Sequence, residues 1–506
     1  MHKPIITHQP LLNSKIKIAI IGGGVAGSTI ALRFAELGLD TTLIEKGPSL
    51  VNGPPICHLH AGGNLYREIS DEQCLLLLQQ SIDTVKVYPQ SVNIRPTVIA
   101  LPKTDNGEPK DLLPRLEMLR AKYRDLVNKD SRNQVLGKPA HYFRFYSREE
   151  LDVLQKKTIP EKAVDASDWL ISFAQNVDLN KLKFPVLLVQ EYGLSAFRFA
   201  AIVGLAIERL PNCHLKTNSQ VIGLTQQVDK PGWQVSTKQH GSDSVQQQNF
   251  QRQDYDYVIN ACGFKSGEID DMVSAKRKRM VEFKAAYVAH WPQCHGIWPE
   301  IIFYGERGTP QGMAQLTPYP DGYFQLHGMT QDITLFDQGL VASSVNSAQP
   351  KLAKRFIEKI DKQWPEQLIQ NRTLGSIEHM AQFVPEFSSA RVAAKPLFGA
   401  QQIPGEDADL RAADVSFYGQ HYARTEIVKA SSALAAADAI LTNLVDCGLI
   451  SEQLMYVDEK LGKECTNYLT EHYFPVSLKC SETEVTERAI ALAQQRDYPM
   501  ALAKNL

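Results

Sequence analysis

The sequence predicts an α/β protein with an N-terminal βαβ region, a second region carrying a mixed or antiparallel sheet, and a helical C-terminal tail. Three observations predict it. Residues 17–45 read as strand, glycine-rich turn, helix and strand. Residues 281–290 and 313–330 alternate apolar and polar around a Pro-Asp-Gly turn, as antiparallel strands do. The chain has 506 residues, 43% hydrophobic and 22% charged, which is more than one ordinary core and argues against wholesale disorder, although residues 1–14 read as a poorly ordered lead-in.

Lys17–Ile21 is an apolar run of the kind buried inside parallel sheets. Gly22-Gly23-Gly24-Val25-Ala26-Gly27 follows directly. Ile30, Ala31, Phe34, Ala35 and Leu37 then recur at helical spacing, and Gly38 stops the helix. Thr41–Glu45 is a second strand ending in an acid. Beyond Pro48 the chain is irregular as far as Asn64. Residues 66–88 and 112–128 read as helices, with one or two strands between Ser91 and Leu101. Ser147-Arg148-Glu149-Glu150 is a capping start for a helical stretch over 147–175. Val186–Gln190 is strand-like and Ser195–Leu210 helical, and His214–Thr217 and Val221–Leu224 are strand-like again. The Gln-rich residues 226–253 fit a solvent-facing hairpin, and Tyr255–Ala261 fits a buried strand. Residues 350–372 read as helix. Asp414–Tyr418 is a last strand, leading to an Ala-rich helix expected from about Thr425 to Leu444. Residues 446–506 are charged and read as a helical appendage.

Lys plus Arg number 54 against 56 Asp plus Glu, a net charge of −2. No basic excess exists to grip a phosphate backbone, which argues against nucleic-acid binding as the main task. The 8 cysteines are scattered with no CxxC pair, so zinc and iron–sulfur sites are not expected. With no signal peptide and no bilayer-length apolar run, the expected location is cytoplasmic. Lys276-Arg277-Lys278-Arg279 is a local basic run. It reads as a solvated face, with peripheral contact to anionic lipid as the alternative.

Gly22-x-Gly24-x-x-Gly27 alone is a weak pattern, but here it follows a strand, opens a helix and precedes Glu45 by eighteen residues. Gly22 permits the tight turn, Gly24 lets backbone approach a diphosphate, and Gly27 lets the helix pack on the sheet. Val25 and Ala26 open the helix whose N-terminus stabilises the diphosphate charge. Glu45 can accept from both ribose hydroxyls, and its charge disfavours a phosphate there, hence NADP. FAD and NAD share this unit. No second copy of the motif follows a later strand, since Gly263-Phe264-Lys265-Ser266-Gly267 has the wrong spacing.

Residues 16–46, with Leu43-Ile44-Glu45-Lys46, resemble the opening of FAD-dependent oxidoreductases of the D-amino-acid oxidase (DAO) superfamily. Gln190-Glu191-Tyr192-Gly193 resembles the start of that family's second flavin-domain stretch. Val221, within Asn218–Leu224, is similar to the strand beside the adenine. Asp256–Gly263 is similar to the family's D-x-V-V-N-A-A-G strand and turn. Phe417-Tyr418-Gly419, with Tyr422 beyond it, resembles the last flavin-contacting turn. The loop Cys57-His58-Leu59-His60-Ala61-Gly62-Gly63-Asn64-Leu65 resembles the H-G-G-L-R-Y loop of FAD-linked glycerol-3-phosphate dehydrogenases and the N-N-A-G-T loop of malate:quinone oxidoreductases. An H-A-A-G-L analogy, in which the histidine carries the flavin covalently, is the alternative. The resemblance implies a Rossmann-like FAD-binding domain from residues 15–100, 186–275 and 385–445. It implies a substrate domain from 101–185 and 276–384, followed by the appendage 446–506. FAD would then lie against Gly22, Gly24, Val25, Ala26, Gly27, Glu45, Lys46, Ala61, Gly62, Val221, Gly263, Gly419 and Tyr422.

Removing a hydride from a carbon bearing OH or NH needs a base for the heteroatom proton and cations for a carboxylate. By the resemblance, His60 stands near the reactive flavin face and is the first base expected, with His58 second and His327 on a substrate-domain strand. Lys395-Pro396 sits where amino-acid oxidases have Arg-Pro, and Arg391 and Arg424 are the neighbouring cations. An ammonium is a point charge rather than a bidentate fork, which weighs against an amino-acid substrate. The reading is an FAD-dependent oxidoreductase taking a hydride from a small substrate, a malate-like hydroxy acid favoured. Electrons would pass to a quinone or another acceptor. The alternatives are an amine or amino-acid oxidase using dioxygen, and a non-catalytic dinucleotide-binding or redox-sensing protein.

Overall fold

A computed structural model describes residues 16–53, 59–61, 69–240, 250–408, 413–451 and 479–506. Cys57, His58 and Gly62 lie outside the described residues, and for His60 and Ala61 only the backbone is described.

Six strands form the nucleotide sheet, in the order 414–417, 422–426, 257–260, 17–21, 40–44, 213–216. All neighbours run parallel except the edge strand 414–417. The carboxyl ends of 17–21, 40–44, 257–260 and 422–426 therefore share one edge, the edge at which open α/β sheets bind ligands. The apolar runs are buried on both faces. Helices Val25–Glu36, Ala196–Ile207, Ala433–Asp446 and Glu482–Gln495 join one core with Ile18 and Ile20. The opposite face is covered by antiparallel strands 219–226, 233–239 and 250–255, through Val221, Leu224, Trp233 and Val235.

A ten-stranded mixed sheet is built around the long strand Arg279–His290. That strand pairs antiparallel with 323–328, 340–342, 391–392 and 397–404. The sheet continues through 314–318 and 300–303 to 97–100, 186–189 and 143–146. Successive side chains alternate between its faces. Ile301, Phe303, Ala314, Leu316, Phe324 and Leu326 pack under helices 148–154, 169–176 and 366–381. Ala286 and Val288, on the other face, join the core of the nucleotide region. A small three-stranded sheet sets 59–61 and 92–93 beside 192–194, with His60 opposite Gly193.

Several elements differ from expectation. Strands 97–100 and 186–189, expected in the nucleotide region, pair in the large sheet instead. The helix expected over 350–372 is two helices, Lys354–Asp361 and Glu366–Ala381, because Pro365 cannot continue the first. Residues 422–426 are strand, and the Ala-rich helix begins only at Ala433. The described end of the chain is no appendage. Val485, Ala489, Leu492, Ala493, Leu502 and Ala503 are buried in the same core as Ile18 and Phe34.

Candidate active site

The glycine-rich turn leaves the first strand with Gly22 at φ +101, a conformation L side chains avoid; a Cβ there would meet Ala261 O at 2.5 Å. A Cβ on Gly27 would lie 1.9 Å from Gly22 O, so only glycine lets this helix pass so close to the turn. Gly24 differs: nothing stands within 4 Å of a Cβ built on it. The helix beginning at Val25 has no side-chain cap and no acid in its first turn, which leaves its leading N–H groups and positive end for a ligand. Glu45, buried at the end of the second strand, accepts from the N–H of Gly23 and of Gly47, both at 2.6 Å. Lys46 beside it is exposed. Leu50 and Val51 fold over the turn, and the Val51 N–H donates to Gly23 O at 2.7 Å. This arrangement fits the diphosphate and ribose of a dinucleotide.

At the third strand the turn 261–265 is fixed from beneath. The Asn260 side chain donates to Ser266 O at 2.8 Å, and its Oδ1 accepts the Cys262 N–H at 3.2 Å. Arg279, fully buried, donates to Gly263 O at 3.2 Å and Phe264 O at 3.3 Å, and its Nε pairs with Glu426 at 2.5 Å. Glu426, 0% exposed, also faces Arg277 at 3.2 Å and Arg424 at 3.9 Å. Arg424 pairs with Asp270 at 2.5 Å and donates to Ser416 Oγ at 2.6 Å. The Tyr422 hydroxyl, pushed well above its usual pKa by burial, donates to Asp270 at 2.7 Å. Gly263 itself keeps open space on its Cβ side.

Three expectations are corrected here. Arg424 and Tyr422 are committed to this buried network and present neither a guanidinium to substrate nor a ring to a cofactor. Gly419 lies in the exposed turn before strand 422–426. Because that strand runs parallel to 257–260, its start is at the sheet edge opposite the glycine-rich turn. The segment that leaves the ligand edge there is 427–432. The basic run also divides: Arg277 and Arg279 turn inward to Glu426, and Lys278 is exposed beside Glu406.

Facing the nucleotide region, the large sheet carries a row of buried and half-buried polar side chains. Arg95 pairs with Glu300, which also accepts from the Gln315 amide; all three are buried. Tyr319, pushed up to about 12 by burial, donates to Gln325 Oε1 at 3.3 Å. The Gln325 amide nitrogen is then left to donate to His327 Nε2 at 2.9 Å, so neutral His327 carries its proton on Nδ1. Further along, Lys284 bonds Glu282 at 2.6 Å and Gln401 at 2.9 Å, and Arg307 also pairs with Glu282. Burial raises the Glu282 pKa, but Lys284 and Arg307 outweigh it and hold the carboxyl below its ordinary range. The His60 strand reaches this row from the side. Its partner Gly193 is pressed against Arg95, whose Nη2 would be 2.5 Å from a Cβ there.

The other expected residues lie elsewhere. Val221 is buried against Ile21 and Ile44 beneath the sheet. Arg391 is exposed and sits opposite His290, at the end of the long strand remote from Glu282. Lys395 is half-buried with its ammonium over the Tyr498 ring, 4.8 Å from the centroid. Sequence reading missed Arg95, Glu282, Lys284, Glu300, Arg307, Gln315 and Gln325. The available signal was the alternation in 281–290 and 313–330, whose polar positions prove buried rather than solvated.

Residues 17–103 match the family model described as FAD dependent oxidoreductase (DAO). No curated protein sequence gives a significant match. Solved structures share the fold. L-proline dehydrogenase from P. horikoshii aligns with TM-score 0.52 and 13% identity, covering 88% of this chain and 97% of that one. Glycine oxidase from Geobacillus kaustophilus gives 0.51 and 13% over 85% and 95%. L-alpha-glycerophosphate oxidase from Mycoplasma pneumoniae, with FAD bound, gives 0.51 and 14% over 85% and 94%. Gly22, Gly24, Gly27 and Glu45 all fall inside the matched segment, and the chain shares its fold with these oxidoreductases.

Proposed function

We propose that the protein oxidises a small organic acid held between FAD and the polar face of the large sheet, a malate-like 2-hydroxy acid being the favoured substrate. The observation that carries this reading is the buried row from Arg95 to Lys284, because polar groups are costly to bury without a task or full pairing. FAD bound along the ligand edge supplies the hydride acceptor for the substrate carbon, and the electrons leave to a separate acceptor, a quinone or dioxygen. The N–H groups of Gly24, Val25 and Ala26 would hold the diphosphate, and Glu45 the ribose.

Lys284 and Arg307 both reach the carboxylate of Glu282, which places two cations at this end of the row. Cations there suit a substrate carboxylate. His327, with its proton fixed on Nδ1, acts as a donor that orients the substrate rather than as a base. His60 on the adjoining strand remains the proposed base for the hydroxyl proton. A second reading, oxidation of an amino acid with dioxygen, gains support from the fold shared with glycine oxidase and L-proline dehydrogenase.

The test is the visible spectrum of the purified protein, followed by anaerobic mixing with 2-hydroxy acids and amino acids. Rapid bleaching by a hydroxy dicarboxylate supports the reading. Bleaching only by amino acids, with ammonia and peroxide released in air, selects the second. A flavin that neither class reduces would overturn both.

A further inference from the structure

The end of the chain reaches the cofactor edge. Helix Glu482–Gln495 is pinned along helix Ala196–Ile207 by Val485, Ala489 and Leu492, and by Arg198 to Glu482 and Thr486 and Arg209 to Glu484. Just beyond it, Arg496 turns across the nucleotide region. Its guanidinium donates to Val51 O at 2.7 Å, Leu50 O at 2.7 Å and Ser49 Oγ at 3.1 Å, and it lies over the Phe197 ring. These acceptors belong to the segment that covers the glycine-rich turn. Val51 donates back to Gly23 O, and the Leu50 side chain would lie 2.7 Å from a Cβ on Gly23. Val51 is held at φ +51, an unfavourable conformation for a β-branched residue that needs support from outside its own loop. Glu45 is close enough to act on the Arg496 charge.

We propose that Arg496 is a positioning residue for FAD: it holds the 49–51 segment against Gly23 and so keeps the turn and Glu45 in cofactor-binding shape. The proposal rests on the placement of FAD along this edge. The guanidinium satisfies three acceptors from one rigid fork, while a lysine ammonium is a point charge that cannot span them equally well. The cofactor affinity of the folded protein therefore depends on a residue more than 440 positions after the segment it holds.

The experiment titrates FAD into apoprotein of the full-length chain by flavin fluorescence, for the parent, Arg496→Ala, Arg496→Lys and Gly24→Val. The thermal midpoint of each apoprotein is recorded alongside. The expected result is an FAD Kd raised about tenfold or more in Arg496→Ala and partly restored in Arg496→Lys. Gly24→Val should abolish binding. Unchanged affinity in Arg496→Ala, whatever its thermal midpoint, overturns the proposal while Gly24→Val stays empty. Retained FAD in Gly24→Val overturns the placement of the cofactor itself. If Arg496→Ala cannot be purified, Arg496→Lys decides alone: a Kd equal to the parent's refutes the role.

Discussion

Glu426→Gln removes one charge from the most deeply buried ionic cluster at the ligand edge. Three guanidinium groups, Arg277, Arg279 and Arg424, share two carboxylates there, Glu426 and Asp270. The substitution leaves three cations on one anion. At an effective dielectric constant of about 20, each of the three Glu426 contacts contributes about 4–7 kcal/mol of gross attraction. Desolvation of the carboxylate offsets much of this, and the glutamine oxygen still accepts from Arg279. The expected net cost is about 3–5 kcal/mol, the usual penalty for an uncompensated buried charge, against a total stability of about 5–15 kcal/mol. Arg279 is the group that cannot escape, since its side chain is 0% exposed. The assay is urea unfolding of the parent, Glu426→Gln, Arg279→Met and the double variant. Coupling between the two sites should reach about 2–3 kcal/mol, so that Arg279→Met costs far less once Glu426 is gone. A loss under about 1 kcal/mol in Glu426→Gln, or additive effects in the double variant, would refute the idea that this cluster holds the 261–265 turn.

Other consequences can be checked separately. Gly27→Ala places a methyl 1.9 Å from Gly22 O, so FAD affinity should fall by at least about tenfold in a flavin titration. Lys284→Met should raise KM for a carboxylate substrate by about 10–100-fold with little change in FAD affinity, which steady-state kinetics and the same titration separate. For His327→Ala, stopped-flow reduction of the flavin should slow about a hundredfold while the flavin stays bound. His379 is buried with its ring on Gly312 O, and burial lowers its pKa from 6.5. The unfolded state therefore takes up the proton first, so stability is full above pH 6.5 and is lost as pH falls below it. Thermal midpoints measured downward from neutral pH should drop, and His379→Gln should flatten the drop.

The nucleotide edge was legible because its chemistry is local. Gly22, Gly24, Gly27 and Glu45 lie within one βαβ unit, where Gly22 makes the tight turn and Gly27 the close helix passage that their spacing implied. The polar face of the large sheet was not legible for a physical reason. Arg95 and Glu300 are 205 positions apart and become partners only when strands 97–100 and 300–303 pair in parallel. Nothing in either neighbourhood marks that pairing. Gln315 and Gln325 look like the solvated half of an amphipathic strand until a second layer covers them. Gly419 went to the wrong edge because a glycine between two strands reads the same in either direction. Arg424 was taken as available because its buried partner Asp270, 154 positions away, could not be seen.

The arrangement of the nucleotide core also bears on how the protein is made. Its first strand starts at Lys17, yet the helix that seals Ala196–Ile207 ends at Gln495. During synthesis most of the chain must leave the ribosome before Ile202 and Ala206 acquire their last neighbours. Until then the apolar back of that helix stays uncovered, a standing invitation to chaperones and to aggregation. The nucleotide edge is consequently completed only once residues 482–496 have been made.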